Sequence, residues 1–177
     1  SVPGRHNMYN ALACCAAAEF LGVPGEDAAK GLNKFTGSSR RFQLVGKMAN
    51  GATVVDDYAH HPSEMKATLT TAREMRFDRI LCAFQPHTYT RTKALFPEFV
   101  EALKLCDQAV LAPIYAAREQ NTVGIYSADL AKAVPGAVAF DSFAEIADYL
   151  RREAGPNDLV LTMGAGNINE VGPMLVK

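Results

Sequence analysis

A surplus of charge is missing from this chain. Eighteen Lys and Arg residues face nineteen Asp and Glu, and the formal net charge of −1 gives no bulk attraction to nucleic acid or to an anionic membrane. Single basic residues can still hold a phosphate. Cysteine is scarce: Cys14, Cys15, Cys82 and Cys106 show no Cys-x-x-Cys spacing, which argues against a paired-thiol metal or redox motif. They read as reduced structural thiols, the pair at 14 and 15 in an Ala-rich helix expected to be buried, and they point to a cytoplasmic compartment. No apolar run reaches the roughly 20 residues that cross a bilayer, and the start Ser1-Val2-Pro3-Gly4-Arg5-His6 lacks the apolar core of a signal peptide. Internal repeats, low-complexity stretches, a G-x-x-x-x-G-K-[ST] loop and an H-E-x-x-H pair are also absent. What is present is ample apolar material, 49% of 177 residues, for one packed domain or one domain plus a piece of another.

Periodicity divides the chain in two. Residues 6–22 read as a helix with Met8, Leu12, Cys15, Ala16 and Phe20 near one face, closed by Gly22-Val23-Pro24, and Pro24 can open a second short helix to about Leu32. Thr36-Gly37-Ser38-Ser39 is turn-rich and marks a boundary, leaving a helical segment at 1–39 and a larger unit at 40–177. In the larger unit, apolar runs at Phe42–Met48, Ala52–Val55, Ile80–Phe84, Ala109–Ala112, Ala137–Phe140 and Leu159–Met163 alternate with helical patterns. Those patterns are Met65, Leu69, Ala72 and Met75 in 63–76, Leu95, Phe96, Phe99, Val100 and Leu103 in 92–106, and Phe143, Ile146, Ala147 and Leu150 in 142–151. Such alternation predicts an α/β fold with a mostly parallel sheet covered by helices on both faces. Asn50-Gly51 is a hairpin signal, so one edge is expected to be antiparallel.

Chemistry-bearing residues concentrate just past two strands. Asp56-Asp57-Tyr58-Ala59-His60-His61-Pro62-Ser63-Glu64 runs from a strand into a helix whose first turn suits Pro62, and the amides of that helix start favour an anion. The plainer reading makes the two acids caps and the histidines ordinary loop residues. A zinc site built from His60, His61, His87 and an Asp is a third, although neighbouring residues of an extended chain point to opposite sides. Phe84-Gln85-Pro86-His87-Thr88-Tyr89-Thr90-Arg91-Thr92 likewise leaves its strand at Pro86, and Arg91 near a helix start suits a bound carboxylate or phosphate, or else a surface acid. Leu161-Thr162-Met163-Gly164-Ala165-Gly166-Asn167 is a strand entering a glycine turn that brings backbone amides near the crevice; Asn169 stands where a G-x-G-x-x-G fingerprint needs its third glycine. Arg40-Arg41 clamp a phosphate or merely solvate a surface. Asn7 and Asn10, at i and i+3, suit a planar ring edge, or Asn7 caps the first helix. Residues at the carboxyl ends of neighbouring parallel strands converge on one crevice, and the function is expected there.

Taken in order, Gly4-Arg5-His6-Asn7-x-x-Asn10-Ala11, Arg40-Arg41-Phe42-Gln43, the Asp56–Glu64 segment, the Phe84–Thr92 segment and Leu161–Gly166 resemble the motifs of the Mur ligases over nearly the whole chain. Among these the resemblance is to members that join L-alanine to UDP-N-acetylmuramate. It implies an enzyme of three domains: one holding the UDP-sugar, a central ATPase-like domain, and a Rossmann-like C-terminal domain that closes over ATP and brings the amino acid. Residues 1–39 then correspond to the tail of the central domain and 40–177 to the C-terminal domain, so the chain reads as part of a longer enzyme and as inactive alone. The Mg²⁺ ligands are implied to lie outside it. The implied reaction transfers the γ-phosphoryl of ATP to the muramoyl carboxylate, and the amine of L-alanine attacks the acyl phosphate, so cations and amide donors should surround the charged oxygens.

By position, Asn7 and Asn10 resemble an adenine-binding pair, Arg41 an arginine that reaches the ATP phosphates, and Asp57 a ribose-side acid. Tyr58, His60, His87 and Arg91 resemble the pocket for the amino acid and the acyl phosphate, with His60, His87 and Arg91 as the catalytic candidates. Many family members carry Arg where this chain has Thr88, and Gly where it has Ala59, so one positive contact must come from elsewhere. Related ligases that attach whole peptides share the Asp-Asp loop but usually lack the His87-to-Arg91 pattern. A free-standing α/β module binding a nucleotide or anion in the same crevice is the alternative from another class.

Overall fold

The structure, a computed structural model, describes residues 2–176. Two helices come first, α1 (Arg5–Phe20) and α2 (Gly25–Lys34). The rest runs β1 (Gln43–Lys47), β2 (Thr53–Asp57), α3 (Pro62–Arg73), β3 (Ile80–Phe84), α4 (Tyr89–Ala94), α5 (Phe96–Leu103), β4 (Gln108–Leu111), α6 (Ser127–Ala133), β5 (Val138–Ala139), α7 (Phe143–Glu153), β6 (Leu159–Met163), a 3₁₀ turn at Ile168–Glu170 and α8 (Val171–Leu175). The six strands form one sheet in the order β1-β2-β6-β3-β4-β5. All neighbours are parallel except β1, which pairs antiparallel with β2 across the Asn50-Gly51 turn and carries a register shift between Leu44 and Gly46. A short, bulged, half-exposed edge strand of this kind resists edge-to-edge pairing.

The central strands are apolar on both sides because both sides are covered. From β3, Ile80, Cys82 and Phe84 enter one core with Met65 and Leu69 of α3 and Phe99 and Leu103 of α5. Leu81 and Ala83 enter the other with Ile146 and Leu150 of α7 and Val171 and Leu175 of α8. Burying each such Leu, Ile or Phe contributes about 1.5–3 kcal/mol. Strand register then does the functional gathering: Asp57 lies beside Met163, Met163 beside Phe84, and Phe84 beside Leu111, so four chain segments leave the sheet side by side.

Several expectations change. The 92–106 helix is broken into α4 and α5 at Leu95, because Pro97 cannot donate to the preceding turn. Met75 lies beyond the end of α3 and is exposed, outside the stripe expected for it. The apolar residues of α1 are spread round its axis, and no residue of α1 or α2 is buried: Met8, Leu12 and Phe20 are 68%, 64% and 91% exposed. Cys14 and Cys15, expected in a buried helix, are exposed, whereas Cys82 and Cys106 are buried. The two helices lean on each other, and two short helices bury little by themselves. No described helix is long and apolar enough to cross a membrane.

Candidate functional site

The joint between α2 and β1 is pinned by the two acids at the end of β2. Arg40 adopts a left-handed backbone (φ 56°) and sends its side chain back to the sheet, Nε to Asp56 Oδ2 at 2.9 Å, Nη2 to the Gly164 carbonyl at 2.6 Å and Nη1 to the Gly166 carbonyl at 3.0 Å. Asp56 is buried and also accepts from the Thr162 hydroxyl at 2.6 Å. Asp57, buried too, accepts from the amides of Phe42 (2.8 Å) and Ala59 (2.7 Å), and Phe42 is itself left-handed (φ 48°). Burial raises the Asp57 carboxyl above its ordinary value, against the pull of those two amides and of Arg41. Arg40 thus neither clamps a ligand nor solvates a surface, and the glycine turn receives it through the Gly164 and Gly166 carbonyls. Neither acid caps α3.

That cap is His61, which accepts from the Ser63 amide while Glu64 accepts from the amides of His60 and His61. Burial lifts the Glu64 carboxyl, but these two amides and the His60 and Arg41 charges outweigh it and hold it below the usual range. An external anion was expected at this helix start; the protein's own carboxylate already fills the place, which corrects that expectation. His61 turns into its cap, and His60 Nδ1 lies 3.0 Å from the Tyr58 carbonyl and 3.4 Å from Glu64 Oε2.

His60 opens a row of rings along the carboxyl edge of the sheet. Tyr58 meets His60 edge-on with centroids 5.4 Å apart, His60 lies 5.9 Å from His87, and His87 stacks on Tyr115 at 5.4 Å. The guanidinium carbons of Arg40 and Arg41 stand 5.0 and 5.7 Å from the Tyr58 ring, so this row reaches from the joint to the end of β3. His87 is held below its ordinary pKa by burial first, then by Arg91 and His60, with Glu119 opposing. His87 Nδ1 and Arg91 Nη1 are buried and have no hydrogen-bond partner among the described residues. Buried polar atoms left unpaired are costly, and a ligand that met them would remove the cost. Tyr58 and His60 from the loop after β2, His87 from the loop after β3 and Arg91 from the α4 that follows it therefore stand on one rim.

Asn7, Asn10, Arg41 and Asp57 line a different space, an open cavity of about 1080 Å³ between α1, α2 and the start of α3. The Asn7 amide donates to the Pro3 carbonyl (2.6 Å) and the Asn10 amide to Asn7 Oδ1 (3.2 Å), which orients the pair. Its walls mix apolar side chains such as Leu32 and Phe35 with these polar groups, a lining that suits a small-molecule ligand. Among the described residues, no cluster of three His, Cys, Asp or Glu side chains could hold a metal ion.

Sequence reasoning passed over the loop after β4. Tyr115 and Glu119 belong to it, the first stacked on His87 and the second bonded to Thr90. The available signal was position alone: Pro113, Ile114 and Tyr115 leave the carboxyl end of a central strand as the recognised motifs do. Gln85, also passed over as a site residue, is buried and ties the turn after β6 to β3 through Asn167 and the Ile168 amide.

The family profile described as Mur ligase, glutamate ligase domain, matches residues 40–166. The UDP-N-acetylmuramate–L-alanine ligase of Agathobacter rectalis is 52% identical over 100% of this chain and 39% of its own length. The enzyme of the same name from Acetivibrio thermocellus is 49% identical over 99% of this chain and 38% of its own. Among solved structures, the UDP-N-acetylmuramate–alanine ligase of Thermotoga maritima superposes with a TM-score of 0.79 at 29% identity, covering 98% of this chain and 37% of that one. The chain thus spans about two fifths of the length of the curated relatives it matches.

Proposed function

Since the chain belongs to the Mur ligase family, we propose that it forms the nucleotide-closing and amino-acid-binding part of an ATP-dependent ligase that joins L-alanine to UDP-N-acetylmuramate in the cytoplasm, for peptidoglycan synthesis. The observation that carries this reading is the meeting of His60, His87 and Arg91 on one rim, two of them with buried unpaired atoms. Residues 1–39 act as the tail of the preceding domain. The exposed Met8, Leu12 and Phe20 of α1 are, in this reading, covered by the rest of that domain.

In this reading Asn7 and Asn10 meet the adenine edge, Asp57 lines the ribose side, and Arg41 reaches the phosphates from the pinned joint. The Asp57 carboxylate already accepts two backbone amides, so its part is to shape the wall. ATP gives its γ-phosphoryl to the muramoyl carboxylate, ADP leaves, and the amine of L-alanine attacks the acyl carbon as phosphate departs. The amine must first lose a proton. His87, held neutral near pH 7, is the group to take it, Tyr58 and His60 wall the pocket beside it, and Arg91 supplies positive charge to the alanine carboxylate or the acyl phosphate. The described residues offer no cluster that fits Mg²⁺.

Phosphate release by the full-length enzyme, with ATP, UDP-N-acetylmuramate and varied L-alanine, tests the reading. Arg91→Ala is expected to raise KM for L-alanine and to lower kcat, because the guanidinium meets an anion in ground and transition states alike. Unchanged kinetics would remove Arg91 from the site.

A further inference from the structure

Three threonines alternate with the site residues after β3, and the protein ties all three down. The Thr88 amide donates to the Tyr115 carbonyl (2.9 Å) while the Tyr115 amide donates to the Pro86 carbonyl (2.8 Å), a parallel bridge that continues the pairing of β3 and β4 beyond both strands. The Thr88 carbonyl accepts from the Thr92 amide (3.2 Å) and hydroxyl (2.7 Å). Thr90 gives its amide to Glu119 Oε2 at 3.0 Å and its hydroxyl to Glu119 Oε1. His87 and Arg91, between and beside these anchors, keep the unpaired atoms.

Thr88 makes the turn with φ 67° and ψ 142°, a region that a β-branched residue occupies only when its surroundings hold it there. Two outside groups do the holding. Glu119 grips the start of α4, and its carboxyl is held below the usual range by the Thr90 hydroxyl and amide first, with the Arg91 charge adding to them. Tyr115 lies against His87 only because position 166 has no side chain: a Cβ on Gly166 would stand 2.8 Å from Tyr115 Cγ and 2.9 Å from its Cβ.

On the reading of this rim as the amino-acid pocket, we infer that Glu119 and Tyr115 are positioning residues for the ligase reaction: the Glu119 carboxylate clamps Thr90, the Tyr115 ring backs His87, and together they hold the strained Thr88 turn so that His87 and Arg91 are presented to the amino acid. A capping role alone would affect folding stability and leave the kinetics of the folded enzyme untouched. A positioning role is felt in the use of one substrate.

Steady-state kinetics of the full-length ligase, with L-alanine and ATP varied separately, distinguish the two for Glu119→Ala, Glu119→Gln, Thr90→Val and Thr90→Ser, with Arg91→Ala alongside. Glu119→Ala is expected to lower kcat/KM for L-alanine on the order of 10- to 100-fold, the scale of a misplaced binding group. KM for ATP should stay within about twofold, since the nucleotide contacts are untouched. Gln offers an oxygen to the Thr90 amide and an NH₂ to its hydroxyl, so Glu119→Gln recovers most of the loss, and Thr90→Ser does the same relative to Thr90→Val. Wild-type kinetics in Glu119→Ala beside an impaired Arg91→Ala would overturn the clamp and leave the pocket standing. Equal losses in Glu119→Gln and Glu119→Ala would overturn it as well, because charge and not geometry would then be responsible. Wild-type kinetics in Arg91→Ala would remove the pocket and the clamp together. Should Glu119→Ala fail to fold, the Thr90→Val and Thr90→Ser pair decides.

Discussion

Replacing Asp56 by Ala should cost this chain about 3 kcal/mol, the low end of the 3–5 kcal/mol typical when one partner of a buried ion pair is removed. The low end applies for two reasons drawn from the geometry. The Arg40 side chain is 21% exposed against 5% for Asp56, and it would keep the Gly164 and Gly166 carbonyls at 2.6 and 3.0 Å. The fully buried Thr162 hydroxyl, by contrast, loses its 2.6 Å acceptor and keeps only a long 3.4 Å contact to the Val55 carbonyl. At about 2–4 °C per kcal/mol for a domain of this size, the midpoint should fall by about 6–12 °C. Thermal unfolding followed by far-ultraviolet circular dichroism reads this directly. The double variant Arg40→Ala/Asp56→Ala should lose less than the sum of the two single losses, by about 0.5–3 kcal/mol, because one interaction is being removed twice. A loss for Asp56→Ala below about 1 kcal/mol, the scale of an exposed pair, would refute the picture of a pinned joint. So would strict additivity.

Two shorter tests address the rim. Burial and the nearby Arg91 and His60 depress the His87 pKa, so its imidazole, followed by proton NMR, should titrate below the ordinary value of about 6.5. A depressed value means the unfolded chain binds the proton more readily, so the His87 contribution to stability is complete above the unfolded pKa and is lost as pH falls through the native one; a His87 titrating at or above the ordinary value would contradict the burial described for it. Gly166→Ala forces a methyl against Tyr115 and Gln85 and should cost about 1–3 kcal/mol as an overpacked contact. In the full-length enzyme it should also raise KM for L-alanine, and a variant as stable and as active as wild type would show that Tyr115 is free to move.

Much of the architecture was legible because it is written in local periodicity. Ile80–Phe84 and Leu159–Met163 stand at their expected limits, since a continuous apolar run between turn signals suits a strand covered on both faces. Asn50-Gly51 announced the antiparallel edge, and Pro62 opens α3 as its fixed φ suggested. Pro97 carries the same kind of signal for the break between α4 and α5, masked in the sequence by a long apolar stripe. Failure was of another kind at α1, where counting apolar residues suggested a buried face. Burial depends on what lies opposite, and among the described residues little does.

The residue types and the strand ends they follow pointed to the segments after β2 and β3 as the place for a site, and the family resemblance singled out Tyr58, His60, His87 and Arg91 within them. Which groups remain unpaired was decided only in three dimensions. Arg40 and Arg41 are neighbours of identical chemistry, yet a left-handed turn at Arg40 gives one to Asp56 and the glycine carbonyls and leaves the other at the cavity. Asp56, Asp57 and Glu64 look like ligand-binding acids in one dimension and are consumed by backbone amides, a hydroxyl and a guanidinium in three. The Thr90–Glu119 pair is separated by 29 residues and has no periodic signature, since a contact between loops is set by where the strands end and not by the spacing of the residues that make it.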